Sequence, residues 1–195
     1  MKRSTISDKV LSVQIIADTF DANPSVNTVI GAGGNRKRKI SRLADYAFIK
    51  ALNRDGAYMS SNNKGAALAF RSDKKVFSLK ELYYEVRFAF SIPVKKVFQT
   101  LKREAYIKKN RSEGNHLYFW FLGVQKGGGN AVFEIKDSIY EMAQKEHLPI
   151  LLETSVPRNV VAYERYGFKT YHVWDDPYGG MKLYFMKWDP NLENA

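Results

Sequence analysis

The sequence contains no cysteine, which removes a disulfide framework, a thiolate metal site and a cysteine nucleophile together. Histidine is scarce, and His116, His147 and His172 stand at neither helical nor short-loop metal spacing, so no metal site is expected. Proline is sparse, and no Pro/Ser-rich linker, low-complexity tract or internal repeat divides the chain. No apolar run reaches the roughly 18 residues that a membrane-spanning helix needs. The opening Met1-Lys2-Arg3-Ser4-Thr5-Ile6-Ser7-Asp8 carries basic residues, but no apolar segment follows that would act as a signal peptide. These absences predict a soluble, cytoplasmic protein with no membrane association, folded as one domain over residues 1–195.

The chain has a hydrophobic fraction of 45% and an aromatic fraction of 14%, enough for a substantial core. Its formal charge of +11 attracts polyanions: nucleic acid, anionic lipid or a phosphate-bearing cofactor. The positive charge concentrates in Arg36-Lys37-Arg38-Lys39 with Arg42, and again from Lys95 to Arg111. Aromatics such as Tyr106 lie nearby, as single-strand binders use. No recognised nucleic-acid motif accompanies them, so no nucleic-acid partner is expected; solvated helix faces account for both clusters equally well.

Hydrophobic spacing predicts a helical first half (about residues 1–114) and an α/β second half (about residues 115–190). Helices are expected over Asp8–Phe20 and Arg38–Asn53, then a hairpin of Ala57–Ser60 and Ala66–Phe70 around Ser61-Asn62-Asn63-Lys64-Gly65. Ser78 with Glu81 reads as a capping box for a helix through Leu79, Leu82, Tyr83 and Val86. A basic helix follows Pro93. His116–Val124 reads as a buried strand, Ala131–Gln144 as a helix with Asn130 as N-cap, and Pro149–Thr154 as the next strand. Such a right-handed βαβ unit makes the two strands parallel neighbours. Pro157 opens a short helix that stops at Gly167, and Lys169–Trp174 with Lys182–Trp188 forms a closing antiparallel hairpin.

Between the first of these strands and its helix runs Gln125-Lys126-Gly127-Gly128-Gly129-Asn130-Ala131. A glycine turn at a helix start presents free N–H groups at the positive end of the helix dipole, where phosphate oxygens bind. The same glycines also suit a plain flexible connector. A Walker loop is excluded because Lys-Ser/Thr is missing from its end, and a Rossmann fingerprint because no Gly-x-Gly-x-x-Gly opens the helix.

Leu152-Glu153-Thr154-Ser155-Val156-Pro157-Arg158-Asn159-Val160-Val161-Ala162-Tyr163-Glu164-Arg165-Tyr166-Gly167-Phe168 resembles the second coenzyme-binding motif of the GCN5-related N-acetyltransferase (GNAT) superfamily. Within it, the segment looks most like the puromycin N-acetyltransferase group. Leu117–Val124 is similar to the family's central strand. The resemblance covers about residues 115–188; the first half matches only as an order of elements. The loop departs from the family's pattern, in which a proline precedes Gln/Arg-x-x-Gly-x-Gly/Ala. Here Lys126 stands for Gln/Arg and several preceding residues are missing, which implies a weaker grip on pyrophosphate.

The resemblance implies a mixed α/β sheet whose parallel strands splay apart to hold acetyl-coenzyme A, flanked by helices, in an enzyme that acetylates an amine. It implies that Leu122, Gly123 and Val124 pair with the pantetheine arm and that a main-chain N–H near Val124 polarises the thioester. Gln125, Lys126, Gly127, Gly128, Gly129, Asn130 and Ala131 would take the pyrophosphate. Asn159 would bond the pantetheine arm, and Tyr163 would protonate the departing thiolate. A phenol and a thiol differ by about 1.5 in pKa, roughly 2 kcal/mol, small against an acyl-transfer barrier. An alkylammonium must lose a proton before it attacks; Glu153 at a strand end is the first candidate base and His116 the second. With no cysteine, an acyl-cysteine intermediate is excluded and direct attack is simplest. The expected acceptor is a small-molecule primary amine, and the protein a monomer or homodimer. A catalytically weak acyl-CoA-binding or sensing protein of the same fold is the alternative reading.

Overall fold

The computed structural model describes residues 1–191. Seven strands form one sheet: Lys2–Arg3 (β1), Ala57–Met59 (β2), Gly65–Arg71 (β3), Leu117–Val124 (β4), Ile150–Thr154 (β5), Lys169–Asp176 (β6) and Met181–Trp188 (β7). Their spatial order is β1-β2-β3-β4-β5-β7-β6, antiparallel throughout except between β4 and β5. The helices are Lys9–Thr19 (α1), Pro24–Ile30 (α2), Arg36–Leu52 (α3), Leu79–Ala89 (α4), Val94–Asn110 (α5), Ala131–Lys145 (α6) and Pro157–Arg165 (α7). Among the described residues no helix is long and apolar enough to cross a membrane.

The centre of the sheet is covered on both faces, which explains why β3 carries Ala66, Ala67, Leu68 and Ala69 rather than alternating polar residues. Ala66 and Leu68 meet Ile15, Ile16, Ala47 and Phe48 of α1 and α3. Ala67 and Ala69 meet Ile135, Ile139 and Ala143 of α6 on the other face. The small side chains let helices approach closely from both sides. On β4 the same alternation slips. Leu68 faces Phe121 while Ala69 faces Phe119, so Trp120 is the extra residue of a β-bulge. Bulges bend a strand and re-aim its side chains, and this one brings Trp120 and Phe121 both to the α1–α3 face.

The starts of α2, α3 and α4 follow polar side-chain caps, and each departs from expectation. The helix α2 was not anticipated, although Asn23-Pro24 signals it: the Asn23 side chain accepts from Val26 N–H at 3.1 Å and Pro24 sits in the first turn. Asn35 accepts from Arg38 N–H at 3.0 Å, so α3 begins at Arg36 and not at Arg38. Ser78 does cap α4 through Glu81 N–H at 3.2 Å. The Glu81 carboxylate, however, turns to Arg54 at 2.7 Å and Asn53 at 3.3 Å, so only half of the expected capping box forms. The face of α4 is also reversed. Glu81 and Phe88 are buried, while Leu79, Leu82, Tyr83 and Val86 face solvent.

Candidate active site

Ladder pairing between β4 and β5 stops after Leu117↔Ile150 and Tyr118↔Leu151. Beyond that point, where the Trp120 bulge bends β4 away, the strands separate into a gap. Backbone groups along the two facing edges lose their ladder partners, and an unpaired buried amide costs about 1–3 kcal/mol. A linear ligand rich in amides offers the matching donors and acceptors. The gap holds a cavity of about 130 Å³ walled by Phe119 to Leu122 of β4, Leu152 to Thr154 of β5, and Asn159 and Tyr163 of α7. Thus Leu122, Glu153, Asn159 and Tyr163, chosen from sequence, line one cavity. Gly123 and Val124 lie further along β4 toward the glycine loop. At Gly123 an added Cβ would stand 3.1 Å from Thr19 Oγ1 and 3.2 Å from Ile15, so the missing side chain is what lets α1 cross there.

Asn159 and Tyr163 are four residues apart on α7 and therefore share its face. Burial pushes the Tyr163 phenol up to about 12. The group stays protonated at neutral pH, and its side chain lines the gap cavity.

The glycine loop is a tight turn tied to the β2–β3 hairpin. Gly128 N–H donates to Gln125 O at 2.9 Å, and Ala131 N–H to Gly128 O at 3.1 Å. Gln125 N–H donates to Lys64 O at 2.9 Å. In return Asn62 Nδ2 donates to Gly128 O at 2.9 Å and Lys64 Nζ to Gly127 O at 3.2 Å. With its carbonyls engaged by the hairpin, the loop keeps the N–H groups of Lys126, Gly127, Gly129 and Asn130 without a backbone acceptor among the described residues. Asn130 occupies the N-cap position, but its side chain makes no capping bond, contrary to expectation. The α6 N-terminus is therefore open to an anion. Gly127 and Gly129 take φ of +77° and +56°, and at Gly128 an added Cβ would meet Val124 Cγ1 at 2.4 Å. Backbone conformation thus favours glycine at 127 and 129, and close approach requires it at 128. The hairpin residues Asn62 and Lys64 were not selected from sequence, because nothing local links them to a loop more than 60 positions away.

Glu153 reaches the gap with both oxygens engaged. Arg111 donates to them from Nε at 2.9 Å and Nη2 at 3.3 Å, and Tyr118 Oη donates at 2.8 Å. Burial first, and then the Glu153 carboxylate, hold the Tyr118 phenol well above its ordinary pKa, so the proton stays on tyrosine. This geometry suits a positioning group better than a proton acceptor. His116 sits at the foot of β4, its Nδ1 3.0 Å from Gly114 O, while its Nε2 is sealed from solvent without a partner. Burial, assisted by Arg111, lowers its pKa.

A carboxylate that sequence reasoning missed is better placed. Glu104 of α5 lines the gap cavity and two neighbouring cavities, as does Trp120. One neighbour is apolar, about 240 Å³, walled by Tyr46, Phe88, Ile92, Val97 and Phe121. The other is an open bowl at the foot of β4. Among the described residues no hydrogen bond or ion pair engages Glu104, in contrast to Glu153. In sequence it is one acid inside a basic helix, with no motif around it.

No family model matches the chain, and no curated protein does. Solved structures do. The C-terminal condensation domain of Ebony in complex with beta-alanyl-dopamine superposes with a TM-score of 0.65 at 14% identity, covering 95% of this chain and 96% of that one. A histone acetyltransferase HPA2-related acetyltransferase from Corynebacterium glutamicum gives 0.60 at 16% identity, covering 96% and 94%. The fold is that of the GNAT acetyltransferases. Arylalkylamine N-acetyltransferase 2 from Aedes aegypti adds a TM-score of 0.58 at 16% identity, covering 96% and 98%. The GNAT likeness extends over the helical first half, where sequence resemblance reached only the order of elements.

Proposed function

We propose that this chain is an N-acetyltransferase that passes an acetyl group from acetyl-coenzyme A directly to a primary amine of a small molecule. The observation that carries this reading is the gap opened where β4–β5 pairing ends, with Asn159 and Tyr163 on its wall and the unpaired loop N–H groups at its mouth. Pantetheine amides would pair with the free strand edges, Asn159 would add a hydrogen bond, and the pyrophosphate would take the loop N–H groups and Lys126. The narrower likeness to the puromycin N-acetyltransferase group rests on residues 152–168 alone.

In the reaction, Glu104 takes a proton from the ammonium and frees the nitrogen lone pair. The nitrogen attacks the thioester carbon; the C–N bond forms and the C–S bond breaks. Tyr163 supplies the proton to the departing sulfur. A phenol at about 12 against a free thiol leaves a gap of about 3.5 in pKa, roughly 5 kcal/mol for full transfer. Tyr163 therefore acts by a hydrogen bond that strengthens as charge reaches sulfur, with transfer late. The same dry surroundings raise the thiolate's basicity and narrow that gap.

A second reading, an acyl-CoA sensor without turnover, is favoured by the shortened loop. Calorimetric titration with acetyl-coenzyme A, followed by thiol release with a panel of primary amines, separates the two. Micromolar binding with amine-dependent thiol release supports the enzyme; binding without release from any amine supports the sensor. Absence of binding would overturn both.

A further inference from the structure

The bowl at the foot of β4 has a volume of about 680 Å³ and opens between the ends of α3 and α5. Its aromatic floor is Phe70, Tyr118 and Trp120, and its walls are basic, with Glu104 and Glu113 the only acids among the described residues. Part of the basic charge is compensated: Arg111 by Glu153, Arg54 by Glu81 and Lys74 by Asp55. The rest is not. Lys75, Lys108 and Lys109 form no ion pair among the described residues. Lys50 donates to the Tyr46 hydroxyl at 2.9 Å and lies over the faces of Tyr46 and Trp120, 5.2 and 5.5 Å away, with no ion pair among the described residues. Burial outweighs the attraction of Glu104 and Glu81 and lowers the pKa of Lys50, as expected of a cation taken out of water with no direct ion pair.

The coenzyme's own phosphates do not explain this charge. The glycine loop that would take the pyrophosphate begins after Val124, six residues along β4 from Tyr118, roughly 20 Å at ~3.3 Å per residue. The bowl lies at the opposite end of the strand and joins the gap through Glu104, Tyr118 and Trp120. A molecule entering there meets one free carboxylate beside the reacting centre and a group of free cations behind it.

We infer that the acceptor is a small primary amine that carries an anionic group, carboxylate or phosphate, with its ammonium at Glu104 and its anion among Lys50, Lys75, Lys108 and Lys109. This rests on the acetyl-transfer reading for the chemistry, but not for the binding. The anion supplies the direct ion pair that Lys50 lacks among the described residues. A diamine of similar length would instead bring a second cation into a cationic bowl, where like charges repel.

The test compares amines that differ only at the far end: δ-aminovalerate against n-pentylamine and cadaverine, and phosphoethanolamine against ethanolamine. Two readouts are taken, thiol release from acetyl-coenzyme A and calorimetric binding of each amine to the protein saturated with coenzyme A. An anionic amine is expected to exceed its neutral partner about tenfold or more in kcat/KM, about 1.4 kcal/mol, with the advantage shrinking as salt rises. The two pairs distinguish carboxylate from phosphate. The double substitution Lys108→Glu with Lys109→Glu changes two exposed side chains and is expected to cut the ratio of δ-aminovalerate to n-pentylamine about tenfold. Turnover that favours cadaverine or n-pentylamine, or a ratio the double substitution leaves unchanged, would overturn the anion site while acetyl transfer stands. Binding of δ-aminovalerate or phosphoethanolamine that the substitution abolishes, without thiol release, would keep the site and overturn acetyl transfer. Absence of both binding and turnover with either anionic amine overturns the site.

Discussion

Arg111 holds both oxygens of Glu153, and its guanidinium lies 3.7 Å from the centre of the Tyr118 ring while Tyr118 donates to the same carboxylate. Arg111 ends the α5 segment, Glu153 lies on β5 and Tyr118 on β4, so this cluster joins the two strands at the point where their pairing stops. Glu153 is more useful there as the fixed counter-charge of a largely covered arginine than as a proton acceptor. Breaking such a pair from one side costs about 3–5 kcal/mol, and Glu153→Gln should cost toward the lower end, since one carbonyl acceptor remains. Urea unfolding measures it.

Glu104 carries the opposite expectation. Its side chain has no partner to lose, so Glu104→Gln should leave the urea midpoint near that of the parent. The loss of a general base should lower kcat by about 10²–10⁴. If Glu153→Gln lowers kcat by that much in a folded protein and Glu104→Gln does not, the base is Glu153.

These two glutamates mark what the sequence made legible. Glu153 sits at a strand end inside a long recognisable motif, so its approach to the gap was readable, but its partner Arg111 lies 42 positions earlier in a stretch read only as a basic helix. Short-range signals carried well: the glycine turn, the strands around it, the Pro157 helix start and the Ser78 cap are decided by neighbours in sequence. Facing was not so decided. The Leu79, Leu82 and Val86 spacing marked a helix correctly, yet α4 buries Glu81 because Arg54 and Asn53 await its carboxylate. Glu104 was hidden for the same reason, since only the folded chain brings it to the cavities it lines with Trp120.

Tyr163→Phe should lower kcat by about 10²-fold while KM for acetyl-coenzyme A changes little, because the hydroxyl acts on a charge that exists only late in the reaction. The hydroxyl also leaves a pH signature in stability. Its pKa rises from 10.0 unfolded to about 12 folded, so between these values the unfolded chain gives up its proton first. The stabilisation is full below pH 10.0 and is lost as pH climbs through about 12. The phenylalanine variant should lack this alkaline component in urea titrations; an unchanged alkaline slope would place Tyr163 outside the buried gap.

The loop glycines should separate folding from binding. Gly129 takes φ of +56° with open space around its absent Cβ, a conformation that aspartate tolerates better than most residues. Gly129→Asp should keep the fold and place a carboxylate at the α6 N-terminus, where it competes with and repels pyrophosphate; acetyl-coenzyme A affinity should fall at least about tenfold. Gly128→Ala should instead destabilise the loop, because its Cβ would meet Val124 Cγ1 at 2.4 Å and Gln125 O at 2.9 Å. Circular dichroism melts alongside calorimetry distinguish the two. Unchanged affinity in the folded aspartate variant would move the pyrophosphate elsewhere.

The placement of Glu104 depends on its neighbour. Arg103 is buried, with Nε 2.8 Å from Asp176 Oδ2 and Nη2 2.7 Å from Ser25 Oγ, and Asp176 Oδ1 accepts Tyr178 N–H at 2.9 Å. This set ties α5 to α2 and to the β6–β7 turn, and it fixes the turn of α5 from which Glu104 projects. Asp176→Ala leaves the Arg103 cation unpaired and should cost about 3–5 kcal/mol. Arg103→Met together with Asp176→Leu should recover part of that loss, because burying two charges carries its own desolvation penalty. The double variant still loses the hydrogen bonds that set the rotation of α5, so its kcat should remain below that of the parent even where its urea midpoint recovers. Stability and rate that recover together would mean that packing alone positions Glu104.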